Sequence, residues 1–254
     1  MSERRAAANS HPQSQPPFHA GTVRRFLAMT GVGAAFAAAL IGPGAATAQA
    51  APTSCSDVEV VFARGTAEPA GPGRVGQAFV SELQNSLPGQ SVDVYAVNYP
   101  ASYDFLQSAP LGAGDASAYV QSVAANCPDT SIVLGGYSQG AAVVDLITAD
   151  PAATFGFGQP MPPAVADHVA AVAVFGNPSD KIGRPLSAIS PLYGAKTVDL
   201  CNGADPVCSN GDDRAAHSLY VQTGMAKQAA DFAAGRISAT PGSAPMVSAS
   251  GAVG

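Results

Sequence analysis

Hydrophobic residues recur along the chain in two alternating patterns. Residues 57–63 (DVEVVFA) form a short, mostly apolar and β-branched run, which is typical of a buried strand. Residues 74–87 instead place Phe79, Leu83 and Leu87 four positions apart, which predicts an amphipathic helix. The two patterns then alternate through most of the remaining chain.

This alternation predicts an α/β domain with a mainly parallel sheet of five strands flanked by helices. The further strands are predicted at 91–99, 130–136, 168–176 and 195–200, and the further helices at 114–127, 139–150 and from about 216 to 234. Two Pro- and Gly-rich stretches, 151–163 and 176–194, are predicted loops without the helical period of a lid. We therefore expect a compact, lidless fold.

The ends of the chain differ in character from this domain. Arg24 and Arg25 precede an apolar stretch at 26–41, which ends in small residues and is too short to span a bilayer comfortably. This predicts a signal peptide over 1–50, similar to the twin-arginine type, that is removed on secretion. One domain is predicted at 51–236, followed by a flexible tail at 237–254 that shows no periodicity.

Charge and cysteines narrow the environment of the exported part. Residues 51–254 carry 8 basic and 17 acidic side chains, a net charge of −9, which disfavours nucleic acid and anionic membranes as partners. No second apolar span follows, so no stable membrane span is expected. An even number of cysteines in an oxidising compartment predicts two disulfides, and the spacing does not suit a zinc site. These cysteines are Cys55, Cys127, Cys201 and Cys208, and three connectivities are possible.

A glycine-rich bend carries the candidate nucleophile. In VLGGYSQGA, Gly136, Ser138 and Gly140 fit G-x-S-x-G and lie between a predicted strand and a predicted helix. Such a bend forces the serine towards positive φ and exposes its hydroxyl above the sheet. The alternative is a glycine-rich turn whose serine only caps the helix.

A serine nucleophile needs a base and an acid. His217 follows the last strand, where the chain order of α/β-hydrolases places the base, whereas His168 lies at the opposite end of a strand. Asp205 follows the strand at 195–200 and is the candidate acid. The other aspartates nearby are Asp199, inside the strand, and Asp212 and Asp213, on a loop beside His217.

The positions of the cysteines favour one connectivity. Cys201 and Cys208 are near enough to close a small ring around Asp205. Cys55 and Cys127 then pair by elimination, and both precede strands that are neighbours if the sheet order is 2-1-3-4-5. That bond would lie at the edge opposite the candidate site.

An oxyanion hole needs two donors near the serine. The backbone N–H of Gln139 is one, because it follows the nucleophile. Thr66, on the loop after the first strand, offers a backbone N–H and a hydroxyl as the second. The alternative is an ordinary loop in which Arg64 and Glu68 are solvated charges.

Six stretches in order resemble the cutinase family, in particular the secreted cutinase-like proteins of mycobacteria and related actinobacteria. They are VVFARGTAEPAGPGRVG, YAVNYPAS, CPDTSIVLGGYSQGAAVVD, VAAVAVFGNP, CNGADPVC and the segment with His217, and they span Cys55 to Ala234. The resemblance implies an α/β-hydrolase with a Ser138, Asp205 and His217 triad, an oxyanion hole from Thr66 and Gln139, and the two disulfides above. Thr66 stands where many fungal cutinases carry serine.

The expected function is that of a secreted, extracellular and monomeric serine esterase without metal or organic cofactor. Its expected substrates are carboxylic esters of lipidic or polyester character, such as cutin-like polymers and short- to medium-chain acyl esters. One alternative is an esterase of the acetylxylan type, which shares the fold and triad. Another is a secreted antigen or lipid-binding protein with weak activity.

Overall fold

A five-stranded parallel sheet forms the centre of the protein. The computed structural model describes residues 54–154 and 156–239, so the predicted signal peptide and almost all of the predicted tail lie outside the described residues. The strands are β1 (Val58–Ala63), β2 (Val92–Ala96), β3 (Ser131–Tyr137), β4 (Val169–Phe175) and β5 (Thr197–Leu200). Their order is β2-β1-β3-β4-β5, which confirms the predicted fold class and strand order.

Helices cover both faces of this sheet. They are α1 (Gly73–Ser86), α2 (Phe105–Asn126), α3 (Gln139–Thr148), α4 (Pro178–Lys181), α5 (Leu186–Ile189) and α6 (Met225–Ser238). One apolar layer joins the sheet to α1 and α6, and the other joins it to α2 and α3. All six residues of β1 are buried, as expected for a central parallel strand covered on both faces.

The structure corrects two predicted helix starts. The helix predicted from 114 begins at Phe105 and contains Pro110, which removes one backbone hydrogen bond, and Gly112, which allows close packing. A Cβ atom at Gly112 would lie 2.9 Å from side-chain atoms of Tyr99 and Val143. The chain therefore needs glycine at a position where the sequence alone favours a break.

The helix predicted from about 216 begins only at Met225. Residues Ala216–Ser218 form a single 3-10 turn, and Gly224 precedes α6 in the left-handed conformation with φ of 77°. Its C-terminal end at Ser238 lies two residues beyond the predicted domain boundary at 236. The segment from 216 to 224 therefore consists of a short 3-10 turn and a connection to α6, and not of a continuous helix.

Short elements occupy the two predicted loops. The described part of 151–168 contains one 3-10 segment, Pro163–His168, and the stretch 176–194 contains α4 and α5, each of four residues. Within the described part of both stretches, no helix reaches three turns, in agreement with the expected lidless fold.

Candidate active site

The bend after β3 places Ser138 in a strained backbone conformation. Its φ of 56° and ψ of −116° are rare for a residue with a side chain, as predicted for this bend. A Cβ atom at Gly140 would overlap the carbonyl oxygen of Ala63, and one at Gly136 would overlap the carbonyl oxygen of Gly140. Both glycines are therefore required for β1, β3 and α3 to approach so closely.

The structure brings the three predicted residues Ser138, His217 and Asp205 together. The Nε2 atom of His217 lies 2.9 Å from the Oγ atom of Ser138. The Nδ1 atom of the same ring lies 2.6 Å from the Oδ2 atom of Asp205. The Asp205 side chain is completely buried, and that of His217 is 21% exposed. This arrangement can remove the serine proton and stabilise the imidazolium ion that results.

Of the other candidates, Asp212 and Asp213 are exposed on the loop before His217, and His168 and Asp199 lie away from Ser138. His168 ends the 3-10 segment before β4, at the amino end of the strands, whereas Ser138 follows the carboxyl end of β3. The carboxylate of Asp199 accepts the backbone N–H of Leu186 in the loop that connects β4 to β5. Of the candidates, the structure thus places His217 in contact with Ser138, and Asp205 in contact with His217.

The loop that carries Asp205 is closed by a disulfide. Cys201 and Cys208 are joined, with 5.8 Å between their Cα atoms. Within this ring the backbone N–H of Asp205 donates to the carbonyl of Asn202 at 2.6 Å. The Oδ1 atom of Asp205 accepts the N–H of Val207 at 2.8 Å, and its Oδ2 atom lies in contact with His217, so each carboxylate oxygen has a separate donor. The second disulfide joins Cys55 to Cys127 near the amino ends of β1 and β3, whereas Asp205 follows the carboxyl end of β5.

Two buried tyrosines support the acid and the base. The hydroxyl of Tyr220 donates to Oδ2 of Asp205 at 2.6 Å. The hydroxyl of Tyr137 donates to the carbonyl of His217 at 2.5 Å, and the Tyr137 ring stacks on the imidazole with 5.0 Å between ring centroids.

Neither tyrosine was predicted to support the acid or the base. Tyr137 is only 7% exposed and stacks on His217, so it does not belong to an exposed rim of the site. Tyr220 was missed altogether. The sequence feature that could have indicated its role is its position three residues after His217, which places both side chains on the same side of the 3-10 turn.

Thr66 and Gln139 follow the carboxyl ends of two neighbouring strands at corresponding positions. Ala63 at the end of β1 pairs with Gly136 in β3, and each predicted donor follows three residues later. Gln139 is the first residue of α3, where backbone N–H groups have no partner within the helix. The hydroxyl oxygen of Thr66 is buried and has no hydrogen-bond partner in the described part of the chain.

A buried arginine organises the loop that carries Thr66. Arg64 is 6% exposed, so the alternative in which it is a solvated charge is wrong. Its guanidinium donates to the carbonyls of Tyr99 at 2.7 Å and Glu68 at 2.9 Å, and its own carbonyl accepts the Tyr99 hydroxyl. Ala67 in this loop has a φ of 61° and donates its N–H to the carbonyl of Ala101, whose φ is 48°. The loop thus combines local strain with a dense set of hydrogen bonds.

An apolar segment lies beside the serine. The Gln139 side chain donates to the carbonyl of Ser102 at 2.8 Å and accepts the hydroxyl of Ser108 at 3.0 Å. Between these anchors the chain exposes three large apolar side chains: Tyr103 is 76%, Phe105 52% and Leu106 79% exposed. These side chains form an exposed apolar patch on the segment that the Gln139 side chain holds, one residue after Ser138.

A group of partly or fully buried carboxyls lies around α4. Burial raises the pKa of Asp145 to about 7, and its carboxylate accepts hydrogen bonds from Asn177 and Ser179. Burial and the neighbouring charge of Asp180 raise the pKa of Asp199 to about 8. Within residues 54–154 and 156–239, no group of three or more His, Cys, Asp or Glu side chains is arranged to hold a metal ion.

Comparison with known proteins identifies related sequences over nearly the whole domain. The family profile described as Cutinase matches residues 54–237. Phospholipase Culp4 of Mycobacterium tuberculosis is 52% identical over 229 residues, which cover 89% of this chain and 99% of the relative. Carboxylesterase Culp1 of the same species is 50% identical over 222 residues, which cover 85% of this chain and 98% of the relative.

Solved structures with the same fold include two fungal esterases. A Trichoderma reesei cutinase in complex with a phosphonate inhibitor is 34% identical with a TM-score of 0.59, and the match covers 72% of this chain and 77% of that one. The catalytic core of acetyl xylan esterase from Trichoderma reesei is 26% identical with a TM-score of 0.64, over 72% of this chain and all of that one. None of the described helices is long and apolar enough to cross a membrane.

Proposed function

The chain belongs to the cutinase family and is a carboxylic ester hydrolase, and on this basis we propose that Ser138, His217 and Asp205 are its catalytic residues. The observation that carries the proposal is the continuous pair of contacts, 2.9 Å from Ser138 to His217 and 2.6 Å from His217 to Asp205. The strained backbone of Ser138 supports it, because such strain is typical of a nucleophile held at a sharp bend.

In the proposed reaction, Oγ of Ser138 attacks the ester carbonyl carbon while Nε2 of His217 accepts the hydroxyl proton. The negative charge that develops on the carbonyl oxygen is stabilised by the N–H of Gln139 and by Thr66. Collapse of this intermediate breaks the bond to the alcohol, which leaves with the proton from His217. Water then attacks the acyl-enzyme in the same way and releases the carboxylic acid.

The proposed substrates are apolar acyl esters, either lipids or polyesters. Support comes from the exposed side chains of Tyr103, Phe105 and Leu106 beside the serine, and from relatives that are named as a phospholipase and a carboxylesterase. The proposed setting is extracellular, with the enzyme as a monomer. Two disulfides suit an oxidising compartment, because the cytosol keeps thiols reduced.

An acetylxylan-type activity is the second candidate. It is favoured by the structural similarity to acetyl xylan esterase, which extends over the whole of that chain. Hydrolysis rates across acyl esters of increasing chain length and across acetylated xylan separate the two candidates. Faster turnover of medium-chain esters is expected, and a preference for acetylated sugar would favour the second candidate.

A fluorophosphonate probe tests the catalytic residues and excludes a protein that only binds lipids. We expect the probe to label Ser138, and Ser138→Ala to lose both labelling and turnover, by a factor on the order of 10⁴ or more. His217→Ala should lose turnover similarly, whereas the matched variant His168→Ala should keep it. Loss of activity in His168→Ala with retention in His217→Ala would overturn the proposed base.

A further inference from the structure

The hydroxyl of Tyr220 lies at the centre of the ring closed by Cys201 and Cys208. It accepts the backbone N–H of Asn202 at 3.2 Å, near the start of the ring, and lies 3.3 Å from Sγ of Cys208 at its end. Because that sulfur is in a disulfide, it has no proton to donate. The hydroxyl proton itself is donated to Oδ2 of Asp205 at 2.6 Å. One atom therefore contacts the ring at its beginning, middle and end.

The same carboxylate oxygen also receives the hydrogen bond from Nδ1 of His217. We propose that Tyr220 is a positioning residue: its hydroxyl fixes the orientation of the Asp205 carboxylate towards His217 and withdraws part of the negative charge that His217 experiences. This inference rests on the proposed roles of Ser138, His217 and Asp205. It adds a fourth side chain that acts through Asp205 without touching the substrate.

Tyr220 stays a hydrogen-bond donor across the working range of the enzyme. The side chain is completely buried, and burial together with its bond to the Asp205 carboxylate raises its pKa. A neutral phenol next to a carboxylate donates a charge-assisted hydrogen bond, which is stronger than a bond between two neutral groups. With Val207 on Oδ1 and His217 and Tyr220 on Oδ2, the buried carboxylate has three donors.

The ring of Tyr220 has a separate packing role, which allows the hydroxyl to be tested alone. The ring meets Phe175 edge to face with 6.1 Å between centroids, and Tyr137 with 5.7 Å. Tyr220→Phe keeps both contacts and removes only the oxygen. The titratable groups that face this hydroxyl are Asp205 and His217, and Tyr137 contacts Tyr220 through its ring. The charged group of Arg74 lies nearby and donates to the carbonyl of Ser218.

The experiment compares the pH profile of kcat/KM for the wild type and Tyr220→Phe, with a soluble ester as substrate. Without the hydroxyl, more negative charge faces His217, so the imidazolium ion is favoured. We expect kcat to fall roughly tenfold with little change in KM, and the midpoint of the acidic limb to move to higher pH. A role in packing alone would lower the rate without moving the midpoint.

Tyr193→Phe is the matched control. Tyr193 is 1% exposed, and its hydroxyl has no hydrogen-bond partner among the described residues, so the control removes an equally buried oxygen that contacts neither Asp205 nor His217. Its pH profile should superimpose on that of the wild type. The proposal is overturned if Tyr220→Phe also superimposes, or if its rate falls while its midpoint stays in place.

A measurement on the wild-type protein keeps the proposal testable if Tyr220→Phe does not fold. A buried hydroxyl proton in a short hydrogen bond exchanges slowly and gives its own proton resonance. This resonance should move when a phosphonate is bound to Ser138 and His217 becomes charged, and an unchanged resonance would overturn the proposal. Failure of the probe to label Ser138 in the wild type would instead overturn the proposed function, so the two failures are distinguishable.

Discussion

The two halves of the site are held by different means. On the nucleophile side, the backbone sets the geometry: Ser138 follows β3 directly, has a φ of 56°, and lies between glycines that allow close contact of strand and helix. On the acid–base side, Asp205 and His217 lie on the long connection between β5 and α6, where Asp205 belongs to no strand or helix and His217 only to a single 3-10 turn. There a disulfide and the hydroxyls of Tyr137 and Tyr220 provide the constraint.

The difference follows from the number of residues that separate each catalytic candidate from the end of the nearest strand. One residue after a strand, the sheet itself determines the position of a side chain, so a strained backbone is sufficient. Five residues after Leu200, and more for His217, the chain has many alternative conformations, and their entropy must be offset by cross-links and hydrogen bonds. We therefore expect the two halves to fail in different ways when they are altered.

The largest effect is expected at the nucleophile side from Gly140→Ala. The added methyl would overlap the Ala63 carbonyl, and backbone cannot yield as a flexible side chain can. We expect a loss of more than about 4 kcal/mol in the free energy of unfolding, together with loss of activity. The control is Gly235→Ala in α6, where an added Cβ meets nothing within 4 Å and should stabilise the helix by up to about 1 kcal/mol.

Equal stability of both alanine variants in urea unfolding would contradict the view that close backbone packing fixes this half. The sharp bend would then have to be held by contacts elsewhere.

The two disulfides should separate stability from activity. Cys55–Cys127 spans 72 residues and Cys201–Cys208 spans 7. Chain-entropy estimates give losses of about 4 and about 2.5 kcal/mol when each is replaced by a pair of serines. We expect the long-range pair to lower Tm more, and the short ring to lower kcat more, because it holds Asp205. Scanning calorimetry measures the Tm of each variant, and kcat is measured at a temperature well below the Tm of both variants. A larger loss of kcat on removal of the Cys55–Cys127 pair would refute the prediction.

Thr66→Val tests whether the nucleophile side also relies on a side chain. The substitution keeps the shape and removes a buried hydroxyl that has no partner in the described part of the chain. If the hydroxyl binds the developing negative charge, kcat should fall by about 10²- to 10³-fold while KM changes little. Thr66→Ser restores the hydroxyl and should recover most of the rate. If Thr66→Val has the kcat of the wild type, the hydroxyl is not a donor, and only backbone N–H groups stabilise the negative charge on the carbonyl oxygen.

The smallest effect is expected from Asp199, one of the carboxyls around α4. This helix touches the acid–base side through Lys181, which donates to the carbonyl of Pro206 at 2.7 Å. The folded-state pKa of Asp199, about 8, is raised above its ordinary value, so its contribution to stability is present below about pH 4 and is lost as the pH rises through 8. Asp199→Asn imitates the protonated acid and should make this decline shallower. Denaturation curves at several pH values test it, with the exposed Asp129→Asn as control, and an unchanged slope would contradict it.

The sequence predicted those features that local pattern determines. The bend at Ser138 was predictable because its glycines, strand and helix are adjacent in the chain. Asp205 and His217 were selected by chain order, and the structure places both near Ser138. The start of α2 was not predictable, because Gly112 is favoured there by contacts with Tyr99 and Val143, which are distant in sequence.

The supporting residues were missed for the same reason. Arg64 is normally a surface residue, and only the carbonyls that the fold brings around it, such as that of Tyr99, make its burial favourable. Tyr220 acquires its role when the ring closed by Cys201 and Cys208 folds over its hydroxyl. The spacing of Tyr220 after His217 places the two side chains near each other, but pattern and spacing do not show which backbone groups and which carboxylate the fold brings to them.

The Cys55–Cys127 bond also bears on how fast the protein folds. Central strands β1 and β3 pair from Val58 and Ser131 onwards, and without the bond this contact closes a loop of more than 70 residues. With the bond in place, Val58 is only three positions after Cys55, and Ser131 is only four positions after Cys127. The slow search for a long-range pairing becomes the closure of a short hairpin-sized loop. An oxidised chain can therefore assemble the middle of its sheet first and add the outer strands to it.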